Sequence, residues 1–110
     1  MSSLSTHVLD TAHGCPAAGV SVALITDEGA VLYEGETNAD GRCPGMPELS
    51  PGRYRLTFAV AAYFRTRAVE LPDPPFIDTV NIDFGVADAG GHYHVPLLVS
   101  PFGYSTYRGS

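Results

Sequence analysis

The chain has 110 residues, 45% of them hydrophobic and only 16% charged, with a net charge of −6 at pH 7. That length suits a single domain, residues 1–110, and the balance is too apolar and too weakly charged for a disordered chain. Lysine is absent, and the six basic residues are scattered arginines (42, 53, 55, 65, 67 and 108), which argues against nucleic acid or an anionic membrane surface as a partner.

The first ten residues lack a basic segment followed by an apolar run, so no secretory signal is expected. No apolar stretch approaches the ~20 residues of a membrane span. A soluble cytoplasmic protein is the expectation, with Cys15 and Cys43 reduced rather than joined. Leu4 to Asp10 reads as a short strand with His7 on the face of Ser5 and Leu9. His13, in the loop Thr11 to Cys15, reads as solvated. Val20 to Thr26 and Ala30 to Glu36 flank Asp27-Glu28-Gly29 and predict a hairpin. Asn38 to Gly41 and Leu49 to Gly52 are turns. Tyr54, Leu56, Phe58 and Val60 alternate with Arg53, Arg55, Thr57 and Ala59, a strand pattern that leaves Arg53 and Arg55 solvated or at an interface. About two helical turns are expected from near Ala62, ahead of the proline-rich loop Leu71 to Pro75. Val80, Ile82, Phe84 and Val86 form a second alternating run, and Tyr93 to Val99 and Tyr104 to Arg108 complete the strands. Seven or eight short strands with turns every ~8–12 residues predict an all-β fold, an antiparallel β-sandwich.

The chemistry concentrates on a few side chains. His92 and His94 share one strand face. A His-x-His pair can ligate zinc, but it needs a third ligand and an open position; His7 can be that ligand only if the strands adjoin. Arg42, just after the Asn38 to Gly41 turn, reads equally as a solvated arginine or as a guanidinium placed to bind a carbonyl or an anion in bidentate fashion. At Tyr107-Arg108-Gly109-Ser110 a guanidinium, a hydroxyl and a carboxylate fall within four residues, and Gly109 lets the backbone pack closely. There is no Gly-x-Ser-x-Gly elbow, phosphate-cradling loop or paired-cysteine motif. Histidine acid–base work on a bound water is the chemistry this inventory best allows.

Four segments together carry a resemblance: Leu4 to Thr11 with Gly14 to Ala17, Thr37 to Cys43, His92 to Pro101, and the terminal Tyr-Arg-Gly-Ser. They resemble the 5-hydroxyisourate hydrolase family, the transthyretin-related enzymes of purine catabolism, nearly end to end. The terminal tetrapeptide is the most specific element, because it separates these hydrolases from hormone-carrying transthyretins. The resemblance implies a transthyretin-like sandwich of two four-stranded sheets with one short helix. It implies a homotetramer, a dimer of dimers, with active sites at the interface between dimers. It implies hydrolysis of 5-hydroxyisourate to 2-oxo-4-hydroxy-4-carboxy-5-ureidoimidazoline, with no cofactor and no metal. It assigns catalysis to His7, Arg42 and His94 and substrate binding to Tyr107, Arg108, Gly109 and Ser110.

Three other readings stand beside it. A transthyretin-like carrier would hold a small ligand without chemistry, but an apolar channel has no need of two imidazoles and a guanidinium. A structural sandwich module fits the stretch from Val20 to Gly41 equally well. A zinc hydrolase would use His7, His92 and His94.

Overall fold

The computed structural model describes residues 1–110 as ten strands and one helix. In chain order the elements are β1 (Ser3–Ser5), β2 (Val8–Asp10), β3 (Cys15–Pro16), β4 (Ser21–Thr26), β5 (Val31–Glu36), β6 (Gly52–Ala59), α1 (Val60–Thr66), β7 (Thr79–Val86), β8 (His92–His94), β9 (Leu97–Ser100) and β10 (Gly103–Thr106). One layer is the antiparallel sheet β5-β4-β6-β7. The other is β10-β9-β2-β3, extended by the pair β1-β8. The expected sandwich of two four-stranded sheets with one short helix is present.

The second layer shows why more strands appear than the sequence pattern predicts. Leu4 to Asp10 and Tyr93 to Val99 run side by side in parallel, and each is interrupted once, at Thr6-His7 and at Val95-Pro96. The pairing itself continues through the gap: the Val95 amide donates to the Ser5 carbonyl at 2.9 Å and the Leu97 amide to the His7 carbonyl at 3.0 Å. Amides of alternate residues in a strand face the same neighbour, so Pro96, which has none to give, faces away from the N-terminal strand and costs that ladder nothing.

Alternation then fixes the two faces. Leu4, Thr6, Val8, Tyr93, Val95, Leu97 and Val99 are buried between the layers. They meet Val22, Leu24, Leu56, Phe58, Val80 and Ile82 of the other sheet in one continuous core. Ser3, Ser5, His7, His92 and His94 are left on the outer face.

The helix begins at Val60, two residues before its expected start, because the Val60 and Ala61 amides both find the Asp78 carbonyl and need no side-chain cap. It ends where Ala68 turns to φ +58°. Tyr63 and Phe64 anchor it in the core, and the Tyr63 hydroxyl donates to Asp10 Oδ2 at 2.7 Å. Asp10, itself 1% exposed, also accepts from the Ala12 and His13 amides and lies 2.6 Å from His13 Nδ1. His13 is therefore held by Asp10 and stacked on Phe64 rather than simply solvated. The buried carboxylate draws in donors from its own loop, which a residue-by-residue reading of exposure misses. Arg55 pairs through two nitrogens with Asp83, its cross-strand neighbour on the exposed face. Cys15 and Cys43 are free thiols. No helix is long and apolar enough to cross a membrane.

Candidate active site

The outer face of the second layer gathers three of the expected catalytic side chains. His7 lies at the break between β1 and β2, where Thr6 turns inward and bonds the Val95 carbonyl at 2.7 Å. Alternation then leaves His7 outward. Arg42 joins it from a distant part of the chain through an isolated antiparallel bridge, His7 to Arg42. The Asn38 to Gly41 turn makes this possible. Asn38 Oδ1 accepts from the Asp40 and Arg42 amides, the Gly41 amide donates to the Asn38 carbonyl, and the Val8 amide donates to the Gly41 carbonyl. Gly41 has φ +77°, and a Cβ there would run into the Val8 carbonyl oxygen, so the turn needs glycine both for its backbone and for its close approach. Cys43 points into the core and Arg42 outward.

His94 comes from β8, paired in register with Ser5. Its Nδ1 lies 2.7 Å from Ser5 Oγ. The tail closes on its other side: the Gly109 amide donates to the His94 carbonyl at 2.8 Å, and any Cβ at Gly109 would run into the His94 ring. Burial first, then the charges of Arg42, His7 and His92, push the His94 imidazole below its ordinary value of 6.5, against a smaller opposing effect of the Ser5 backbone. The three charged or chargeable groups thus sit close enough to His94 to disfavour its protonated form. The arrangement keeps a neutral imidazole beside a guanidinium, as a base acting on a carbonyl substrate requires.

The tail residues divide. Gly109 packs on His94, and Ser110 follows it on the exposed side. Arg108 turns back instead: its guanidinium lies 4.1 Å from the centre of the Tyr93 ring, and it donates to the His92 carbonyl at 3.3 Å. Tyr107 is 60% exposed and, with Arg108, borders a hollow of about 360 Å³ between Ile82 and Phe84 on one layer and Tyr93 and Val95 on the other. A larger hollow, about 600 Å³, lies around Arg53, Arg55 and Asp83 and holds no histidine. No three His, Cys, Asp or Glu side chains are disposed to hold a metal ion. His92 shares the face with His94, its two ring nitrogens 2.6 Å from Ser3 Oγ and 3.1 Å from Ser5 Oγ. The serines escape a sequence reading because only the parallel pairing of the first and late strands brings them to the histidines.

A two-layer sandwich with a histidine pair and an arginine on its outer face defines a class, and comparison with known proteins places the chain within it. Residues 4–109 match the HIUase/Transthyretin family, and the chain belongs to that family. It is 54% identical over 114 residues to the 5-hydroxyisourate hydrolase of Mesorhizobium japonicum, covering 97% of this chain and 91% of that protein. The solved structure of Klebsiella pneumoniae 5-hydroxyisourate hydrolase superposes with a TM-score of 0.87 at 41% identity, over 100% of both chains. Sea bream transthyretin in complex with thyroxine superposes with a TM-score of 0.85 at 28% identity, over 96% of this chain and 93% of that one.

Proposed function

We propose that residues 1–110 act as one hydrolase domain that opens 5-hydroxyisourate to 2-oxo-4-hydroxy-4-carboxy-5-ureidoimidazoline in urate breakdown. The observation that carries this reading is the setting of His94. A neutral imidazole is held by Ser5 and Gly109 beside His7 and Arg42, in a chain that matches 5-hydroxyisourate hydrolases along its whole length.

The substrate is planar and rich in carbonyls. Water attacks a ring acyl carbon and the ring nitrogen leaves. His94, or His7 across the site, takes the proton of the attacking water. Arg42 meets the charge that grows on the carbonyl oxygen; such stabilisation is typically among the largest contributions to acyl transfer. Gly109 and Ser110 form the wall beside the ring, while Tyr107 and Arg108 tie the tail down around Tyr93. The outer face is open in a single chain, and excluding bulk water from it calls for a second copy. A homotetramer, a dimer of dimers with the histidine faces apposed, supplies that cover, and the cytoplasm is its compartment. A carrier reading fits the fold but leaves His7, Arg42 and His94 without a task.

The test generates 5-hydroxyisourate with uricase and follows its ultraviolet absorbance with and without the protein, against spontaneous decay. An unchanged decay rate overturns the assignment. His7→Asn and His94→Asn are each expected to lower turnover by ~10²–10⁴-fold with the fold intact. Wild-type turnover in either one removes that histidine from the mechanism.

A further inference from the structure

On the outer face, four side chains on two parallel strands form an unbroken polar chain. Ser3 pairs with His92 and Ser5 with His94 across the β1-β8 ladder. Ser3 Oγ lies 2.6 Å from His92 Nδ1, His92 Nε2 lies 3.1 Å from Ser5 Oγ, and Ser5 Oγ lies 2.7 Å from His94 Nδ1. One hydroxyl thus touches both imidazoles, on the Nδ1 side of one and the Nε2 side of the other. His92 is exposed and His94 half-buried, so the chain runs from solvent to the reacting face.

A hydroxyl has one proton, and an uncharged imidazole has one N–H. These limits leave the four-member chain two consistent arrangements. In the first, His94 Nδ1–H donates to Ser5, Ser5 donates to His92 Nε2, and His92 Nδ1–H donates to Ser3. His94 Nε2 then carries a free lone pair and is a base. In the second, every donor is reversed, and His94 Nε2 carries the proton and is an acid. Hydrolysis of a cyclic amide needs the first at attack and a protonated Nε2 at departure.

We propose that Ser5 is a positioning residue for His94 and the centre of a proton relay that parks the catalytic charge on His92. The inference rests on His94 acting as the base. As the O–C bond forms, the water proton moves to His94 Nε2, the Nδ1 proton moves to Ser5 Oγ, and the Ser5 proton moves to His92 Nε2. Hydroxide has been delivered to the carbonyl carbon, and the positive charge now rests on His92. As the C–N bond breaks, the last two transfers run backwards, from His92 Nε2 to Ser5 Oγ and from Ser5 to His94 Nδ1, and His94 Nε2–H gives its proton to the departing nitrogen. The net result is one proton moved from water to nitrogen, with every side chain restored. His7, Arg42 and His92 are the ionisable groups facing His94 from the N-terminal strand, the Asn38–Arg42 turn and its own strand; Arg108 of the tail is turned away to Tyr93. Arg42 crowds His94 with a fixed positive charge, whereas His92 is open to solvent. Moving the charge outward relieves that crowding.

The test compares Ser5→Ala, Ser5→Thr, His92→Asn and His94→Asn by steady-state kinetics in mixtures of light and heavy water. Wild type is expected to show a curved dependence of kcat on deuterium fraction, the mark of several protons in flight. Ser5→Ala is expected to lose roughly 10- to 100-fold in kcat, the usual cost of removing a group that orients a working histidine, with KM unchanged and the dependence made linear. Ser5→Thr, which keeps the hydroxyl, restores both. His92→Asn, on an exposed side chain outside the core, keeps the fold and also straightens the dependence, so the idea stays testable even if Ser5→Ala unfolds. Wild-type kcat in folded Ser5→Ala, or a curved dependence in His92→Asn, overturns the relay. A fully active His94→Asn instead overturns the base assignment beneath it, and an inactive His94→Asn beside a fully active Ser5→Ala overturns the relay alone.

Discussion

His94 is where sequence, packing and charge converge. Its ring is fixed from two directions, by Ser5 and by a glycine that admits no Cβ. A Gly109→Ala chain must move either the ring or the tail, and a displacement of ~1 Å at a reacting group can cost about 100-fold. Turnover is expected to fall by about that factor with the melting temperature little changed; an active Gly109→Ala would show that the tail does not hold the ring. The acid side of the pH profile has a defined sign. A base must be neutral, and burial followed by the charges of Arg42, His7 and His92 keeps His94 neutral to lower pH than an ordinary imidazole. Activity is retained below pH 6.5 and lost as pH falls through the depressed value. Arg42→Gln removes one of those charges, so the His94 titration followed by NMR is expected to move up in pH. A midpoint that stays put would mean the guanidinium is too far away to matter. Residue type and position singled out the His92–His94 pair and the tail and left Arg42 evenly balanced, the resemblance alone joined His7 to them as catalytic, and Ser3 and Ser5 were not legible at all. A serine on a strand says nothing until its partner across the ladder is known.

At the scale of elements, local pattern predicted the two clean runs, β6 and β7, the β4-β5 hairpin and the short helix. It blurred the two strands that carry the site. Leu4 to Asp10 and Tyr93 to Val99 each look continuous, yet each is interrupted beside the other, where His7 bridges Arg42 while its carbonyl still accepts from the Leu97 amide. That bridge reaches a turn more than thirty residues away, so no window of local sequence contains it. Gly41→Ala tests the bridge. The new Cβ would collide with the Val8 carbonyl oxygen at a φ of +77°, and the substitution is expected to cost ~1–3 kcal/mol in urea unfolding while separating Arg42 from His7. A neutral effect on both would show that the turn has room to spare. Helix α1 is tied to the other layer through Tyr63 and Asp10. Burial alone would raise the Asp10 carboxyl, but hydrogen bonds from Tyr63 and from the amide and ring of His13, with the His13 charge, outweigh it and hold it below the usual range. The same contact helps push the Tyr63 hydroxyl up to about 12, after burial. A depressed carboxyl stabilises the fold above its unfolded value near ~3.9 and loses that contribution as pH falls through the folded value. Tyr63→Phe is expected to cost about 2 kcal/mol at pH 7, and its deficit relative to wild type is expected to shrink below pH 4. A deficit independent of pH would assign the loss to packing alone.

For the molecule as a whole, the arrangement of the layers decides what a second copy has to do. The core lies between the sheets, so His7, His92 and His94 lie outside it on the outer face, which is free to serve chemistry. The same freedom leaves it wet. Water around a base and a guanidinium weakens the electrostatic help they give a developing oxyanion, because the effective dielectric rises. Two of the edge strands, β7 of one layer and β10 of the other, present unpaired edges, and the apolar hollow between Ile82, Phe84, Tyr93 and Val95 opens beside them with Tyr107 at its rim. Exposed edges of this kind invite strand pairing with another chain. Edge pairing and covering of the histidine face are separate contacts, and together they would build the proposed dimer of dimers. If catalysis needs the covered face, specific activity must follow the tetramer. Diluting the protein through its dissociation range, with mass measured by light scattering or sedimentation, is expected to lower activity per chain in step with loss of the four-chain species, and a pre-equilibrated sample restored to high concentration is expected to regain it. Constant specific activity down to the monomer would show that each chain works alone, and that the open outer face is sufficient for the reaction.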